Sequence, residues 1–167
     1  MVLTQMLEDV INFTETPINE ANFTEECRKE LEQKGVVTLH NFLKPETIKE
    51  LVHEAKSHSG LAYFTNSTHN VYLTPRNETL SPEHVFNRQL TSSKGCITTD
   101  QIPEASKLKK LYFSDIFKKF ICRVVGETDL YEYADPLSSI NVHYAAKGQE
   151  LNWHFDNSKF AITLLLQ

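Results

Sequence analysis

The stretch Leu151–Gln167, LNWHFDNSKFAITLLLQ, decides the fold prediction, because it sets two metal-binding side chains directly before an apolar run. His154 and Asp156 are two positions apart, and on an extended segment residues i and i+2 point to the same side. Both can then reach one metal ion, while Phe155 turns toward the core. The same spacing also arises by chance as a surface hydrogen bond, so the neighbouring sequence has to separate the two interpretations.

The neighbouring sequence predicts a strand on each side of this pair. SSINVHYA (138–145) alternates apolar and polar residues, and AKGQE (146–150) is typical of a turn. FAITLLLQ (160–167) is apolar on both faces, as in a strand buried between layers. We therefore expect an α+β fold in which helices pack on an antiparallel sheet whose opening strands bracket the pair.

The N-terminal part predicts a helix, a strand and a second helix. Residues 1–21 are polar and without periodicity, and we expect a flexible lead-in there. NFTE (22–25) has the form of a capping box, and Gly35 is suited to end the helix that follows. VVTLHNFL (36–43) predicts a strand, and Pro45 suits the first position of the next helix.

The rest of the chain is expected to complete one domain over residues 22–167. The segment 57–103 is rich in Ser, Thr, Asn and Pro and predicts loops with short strands. Ser114 is placed to cap another helix that Gly126 would stop.

Composition narrows the class of protein. The 167 residues are 40% hydrophobic and 23% charged, with a net charge of −5. Since Lys and Arg form no stripe, we expect neither nucleic acid nor a membrane as a partner; Lys107, Lys109 and Lys110 are expected to form a solvated helix face. The N-terminus has no signal-peptide pattern, and three widely spaced cysteines are typical of free thiols, so we expect a cytoplasmic protein.

The order of strand, Gly-containing turn, HxD and apolar strand resembles the opening of the double-stranded β-helix, a cupin-like jelly roll, of the Fe(II)/2-oxoglutarate-dependent dioxygenases. GVVTLHNFLKPETIKELVHEA (35–55) looks like the lead-in of many of these enzymes. The resemblance implies that His154 and Asp156 bind Fe(II). It also implies that 2-oxoglutarate is the co-substrate and that Tyr144 contacts it, although a core aromatic is an equal interpretation of Tyr144.

Within that superfamily the chain looks most like enzymes that hydroxylate or chlorinate small free amino acids and related metabolites. A halogenase of this kind leaves the carboxylate position open for chloride, so Asp156 indicates hydroxylation. Arg76, in TPRNE, matches a place from which such enzymes reach a substrate carboxylate, and Asn157 can orient a ligand. A solvated surface arginine and a turn asparagine are the alternatives.

The resemblance also implies a distal His and a basic residue for 2-oxoglutarate, yet the eleven residues after Asp156 contain neither His nor Arg. We therefore expect the N-terminal part of a longer, C-terminally incomplete dioxygenase domain, with weak or no Fe(II) binding and no 2-oxoglutarate turnover by itself. His143 is the nearest substitute ligand in sequence.

The apolar stretch 160–167 would then lack cover, and we expect self-association through it. The alternatives are a non-catalytic binding or regulatory remnant of the fold, and a cupin-like binder whose third ligand comes from within the chain or from a second copy.

Overall fold

A computed structural model describes residues 7–135 and 137–167 and confirms the α+β class. Its described residues form two compact units. The helical unit contains residues 7–57, 98–135, 137–140 and 166–167, and the sheet unit contains residues 58–97 and 141–165. The two units divide the span that we expected to be one domain.

The helical unit carries four α-helices. They are α1 (Ala21–Lys34), α2 (Pro45–His58), α3 (Lys107–Tyr112) and α4 (Asp115–Val124). The aromatic rings of Phe23 and Phe120 stack with centroids 6.2 Å apart, and this contact joins α1 to α4. Phe120 is buried and belongs to the apolar core of the unit, together with Leu51, Leu111 and Val124.

Most of the helix boundaries predicted from capping residues are confirmed. Gly35 ends α1 as expected, with φ of +72° and its N–H donating to the Leu31 carbonyl at 2.8 Å. Ser114 caps α4, where its hydroxyl accepts from the Phe117 N–H. The capping box at 22–25 is wrong, because α1 already begins at Ala21 and its N-cap residue makes no side-chain cap bond.

The segment before α1 contributes much of the core. Leu7, Val10 and Ile11 are at most 1% exposed, and Ile18 is 3% exposed. The sequence predicts a flexible lead-in over residues 1–21, and the burial of these four side chains differs from that prediction. Residues 1–6 lie outside the described part of the chain.

The strand predicted at 36–43 is wrong. Only Leu43 forms a β-type contact, an isolated antiparallel bridge to Ile11. Asn41 adopts a left-handed conformation with φ of +54°, which turns the backbone just before the bridge. The bridge cannot extend into a ladder, because the opposite segment is itself a series of turns in which the Ile11 N–H donates to the Leu7 carbonyl.

The lysines of α3 are not simply a solvated face, because each has an acidic partner. The Nζ of Lys107 lies 2.7 Å from the Glu50 carboxylate, and the Nζ of Lys109 lies 2.8 Å from the Glu104 carboxylate. The two lysine side chains are only 19% and 12% exposed. The third lysine pairs with Asp9 at 2.7 Å. Their alkyl stems therefore pack on the unit while the ammonium groups meet carboxylates.

The pair of Asp9 with Lys110 predicts a loss of stability in acid. The hydrogen bond and the charge of Lys110 hold the pKa of Asp9 below its ordinary value. The folded state therefore gains stability above about pH 4, and the gain is lost as the pH falls through the lowered pKa. We expect Asp9→Asn to lower the urea midpoint at pH 7, within the roughly 0.2 to 1 kcal/mol of exposed pairs, and to leave it unchanged near pH 2. An equal difference at both pH values would contradict this.

The sheet unit contains three antiparallel strands in the order β1 (Tyr63–His69), β2 (Leu90–Ile97) and β3 (Val142–Tyr144). His69 pairs with Leu90 at one end, and Gly95 of β2 pairs with Tyr144. Short strands within 57–103 are thereby confirmed. Between β1 and β2 the chain forms turns and irregular segments.

After β3 the chain leaves β2 and then returns to it. Tyr144 lies opposite Gly95, and the Glu150 carbonyl accepts from the Ser93 N–H at 2.7 Å. Tyr144 and Glu150 are thus six positions apart, whereas their partners on β2, Gly95 and Ser93, are two positions apart. The extra residues form the predicted turn, which the Gln149 N–H closes on the Ala146 carbonyl at 2.9 Å.

The strand predicted at 160–167 is wrong, since these residues have no regular secondary structure. Leu165 is 83% exposed and Ile162 is 56% exposed. An apolar sequence becomes a strand only where another strand offers its backbone groups, and within 7–135 and 137–167 no strand pairs with this stretch. Self-association through 160–167 stays a prediction.

Candidate metal centre

His154 and Asp156 lie side by side, with 3.4 Å between the imidazole Nε2 and the carboxylate Oδ1. The Nδ1 of His154 lies 2.8 Å from the Asn152 carbonyl. Because a carbonyl only accepts hydrogen bonds, Nδ1 carries the hydrogen, and in the neutral ring Nε2 keeps its lone pair. Two acceptors therefore face each other, an arrangement that a proton or a metal cation between them stabilises.

Hydrogen bonds join the segment 154–156, called the HFD segment below, and the residue Asn152 before it to the rest of the sheet unit. Before the segment, Asn152 donates its backbone N–H to the Ser92 hydroxyl at 3.1 Å and its side-chain amide to the Thr91 carbonyl at 2.6 Å. Within it, the Phe155 N–H donates to the Val71 carbonyl at 2.7 Å. Both metal-binding candidates thus lie on a segment without regular secondary structure that is tied to β2 and to the turn after β1.

Phe155 does not turn into the core as the alternation predicted. It is 64% exposed, and its ring stacks on Tyr72 with centroids 5.5 Å apart. Tyr72 in turn stacks on Phe86 at 5.2 Å. The three rings thus form a row that joins the segment to Tyr72 and Phe86.

A histidine that the sequence did not single out lies next to His154. The ring of His69, at the end of β1, meets His154 edge to face with centroids 5.6 Å apart. Its Nε2 lies 2.7 Å from the Ser92 hydroxyl and its Nδ1 lies 3.0 Å from the Asn70 carbonyl. His69 falls within the segment 57–103, for which loops with short strands were predicted, and the pairing of β1 with β2 that brings it here has no local signal.

His69 also lines a cavity of about 720 Å³ that Arg76 shares. Its lining combines polar and apolar residues, and it consists of Thr68, His69, Leu73, Thr74, Pro75, Arg76, Pro82, Asn87 and Gln89. Arg76 is exposed, and it is the one permanently charged side chain among these lining residues. The structure therefore places the predicted substrate arginine on a cavity whose wall contacts His154 through His69.

Tyr144 is not brought to this group. Paired residues of neighbouring strands share a face and faces alternate along a strand, so the register puts Tyr144 on the opposite face of the sheet from Ser92 and His69. Its contact with 2-oxoglutarate stays a prediction. Asn157 lies exposed in the bend that follows the HFD segment.

His143, the substitute ligand suggested by sequence, shares the Ser92 face but pairs with Cys96 farther along β2. Desolvation lowers the pKa of His143, and the charge of Lys94 lowers it further, although much of the residue is exposed. Across 7–135 and 137–167, no three His, Cys, Asp or Glu side chains are grouped so as to hold a metal ion.

No sequence family, curated protein or solved structure matches this chain. Among the described helices, none is long and apolar enough to cross a membrane. What can be said of function therefore rests on the residues themselves.

Proposed function

We propose that this chain contributes to Fe(II)/2-oxoglutarate-dependent hydroxylation of a small polar metabolite, with free amino acids in the candidate class. His154 and Asp156 are the proposed iron ligands, and the three-stranded sheet is the proposed opening of a double-stranded β-helix. The proposal rests on one observation, the 3.4 Å approach of the His154 Nε2 to the Asp156 carboxylate. Bound iron and 2-oxoglutarate would supply the oxidation of a C–H bond.

The donor types support iron rather than a structural zinc. An imidazole and a carboxylate are two of the three ligands of the facial triad in non-haem Fe(II) oxygenases, whereas structural zinc sites favour thiolates. The Asn152 carbonyl holds the imidazole in the tautomer that leaves Nε2 free for a metal. The remaining ligand of the triad is not assigned by the described residues.

The presence of Arg76 in the cavity lining supports a substrate that carries an anionic group. Arg76 faces it without a carboxylate among the lining residues, so a carboxylate that enters can pair with the guanidinium through two hydrogen bonds. Thr, Asn and Gln side chains of the lining can accept or donate further bonds to a polar substrate. Roles for Asn157 in substrate binding and for Tyr144 in 2-oxoglutarate binding belong to the same proposal.

The metal claim can be tested with Co(II), used as an air-stable substitute for Fe(II). Titration into the protein should broaden and shift the NMR signals of the His154 ring and of the nearby Asn152 and Phe155 amides, and the amide signals report on the site in every variant. The affinity should be weak because two protein ligands hold the ion. His154→Ala and Asp156→Ala should remove the effect, and His143→Ala should leave it intact. Broadening that is equal in all four proteins would contradict a metal site at this pair.

A non-catalytic binding module is the second candidate, and the cavity favours it because Arg76 and most of the lining lie outside the metal pair. Binding of a small carboxylate that is lost in Arg76→Ala, but is indifferent to Co(II) and to His154→Ala, would select this candidate over the hydroxylase.

A further inference from the structure

We infer that Ser92 and His69 are positioning residues for His154, which hold its imidazole with Nε2 free for a metal ion. The metal is the one in the proposed function, and the inference rests on that function for its use. The contacts themselves do not depend on it.

The directions of the hydrogen bonds follow from what each group can do. The Asn70 carbonyl only accepts, so the neighbouring Nδ1 of His69 carries the hydrogen at 3.0 Å. The Nε2 of the neutral ring then accepts, and the Ser92 hydroxyl must donate to it at 2.7 Å. The hydroxyl oxygen is thereby free to accept the Asn152 N–H at 3.1 Å.

The peptide groups of Asn152 link this chain of bonds to His154. Its N–H is bound by Ser92 and its carbonyl accepts from the His154 Nδ1 at 2.8 Å. The position of the Asn152 backbone therefore affects where the imidazole is held, and Ser92 fixes the N–H side of that backbone while the Asn152 side chain is bound to the Thr91 carbonyl. Asn70, at one end of this chain of bonds, is 1% exposed, and Ser92, in its middle, is 7% exposed.

The ring of His69 adds a steric limit. It meets the His154 ring at an interplanar angle of 81° with centroids 5.6 Å apart, so rotation of either imidazole is obstructed by the other. Partners of this kind, which orient a ligand without touching the metal, typically change metal affinity by about 10- to 100-fold when removed.

The experiment compares Ser92→Ala with Ser93→Ala. The two hydroxyls are neighbours on β2, and Ser93 also accepts a backbone N–H of the returning segment, that of Glu150 at 3.4 Å, but contacts no histidine. We expect Ser92→Ala to weaken Co(II) binding at least tenfold and to mix the His154 ring tautomers in ¹⁵N spectra of the metal-free protein. Ser93→Ala should change neither, and Ser92→Thr should restore both.

His69→Phe is the second variant, since it keeps a ring beside His154 and removes the nitrogens. It should release the Ser92 hydroxyl and give part of the same loss, which keeps the inference testable where Ser92→Ala does not fold. Unchanged affinity and tautomer in both folded variants would overturn it. Complete loss of Co(II) binding in a folded His69→Phe variant would overturn it as well, because that result would make His69 a metal ligand rather than a positioning residue.

A separate result would contradict the proposed function without contradicting the role of Ser92. If Co(II) does not bind at His154 and Asp156 in the unmodified protein, the iron site is wrong. The tautomer of His154 in metal-free Ser92→Ala then still decides whether Ser92 positions the ring.

Discussion

Replacing Ile11 by Ala is expected to destabilise the helical unit by about 2 to 5 kcal/mol, the usual cost of removing a buried isoleucine side chain to the β-carbon. Ile11 is 0% exposed and lies beside Leu7 and Val10, which are 1% and 0% exposed. Its backbone also bridges to Leu43, so little rearrangement can close the cavity left behind. Typical domains have a net stability of about 5 to 15 kcal/mol, so this single change removes a large part of it.

Urea denaturation followed by helical circular dichroism measures the effect. Ile11→Val should cost only about 0.5 to 1.5 kcal/mol, and Val36→Ala, at a position 58% exposed in the same unit, should stay within about 0.5 kcal/mol. If Ile11→Ala behaved like the Val36 control, the segment before α1 would not belong to the core.

Asn87→Asp is expected to destabilise the sheet unit by about 3 kcal/mol or more, because buried donors and acceptors lose their partners at about 1 to 3 kcal/mol each. Asn87 is 3% exposed. Its side-chain amide donates to the carbonyls of Asn77, Leu80 and Ser81 at 2.9, 3.2 and 3.0 Å, and its Oδ1 accepts the Asn77 N–H at 2.8 Å. An aspartate has the same shape but points a carboxylate oxygen at three carbonyl oxygens.

The matched control is Asn66→Asp, the same substitution at an exposed position of β1, which should have little effect. Hydrogen exchange of residues 77–88 should accelerate in Asn87→Asp before the strands are affected. Since Asn87 lines the cavity, ligand binding at Arg76 should weaken as well. Exchange rates and urea midpoints equal to those of the Asn66 control would contradict the network.

Local signals explain which elements the sequence could predict. Pro45 begins α2, Gly35 ends α1 and Ser114 caps α4, and each of these effects acts on the backbone within one helical turn. The sequence order around His154 and Asp156 was likewise enough to expect two side chains on one side of an extended segment. These features depend on residues a few positions apart.

The features that were not predicted from the sequence depend on contacts between residues far apart along the chain. The stretches 36–43 and 160–167 have strand composition, but strand formation needs a partner that composition does not name. His69 reaches His154 only through the pairing of β1 with β2. The burial of Ile11 likewise requires the turn at Asn41, which brings Leu43 back to it.

Because the chain returns to β2 after the turn at 146–149, the length of that turn does not set the position of His154 and Asp156. The Asn152 bonds to Thr91 and Ser92 hold the HFD segment after the turn at 146–149 has closed. Gly148, at φ of +88°, has open space around it. Residues added to this turn would loop outward without moving His154, so a tag or a fluorescent label can be inserted there.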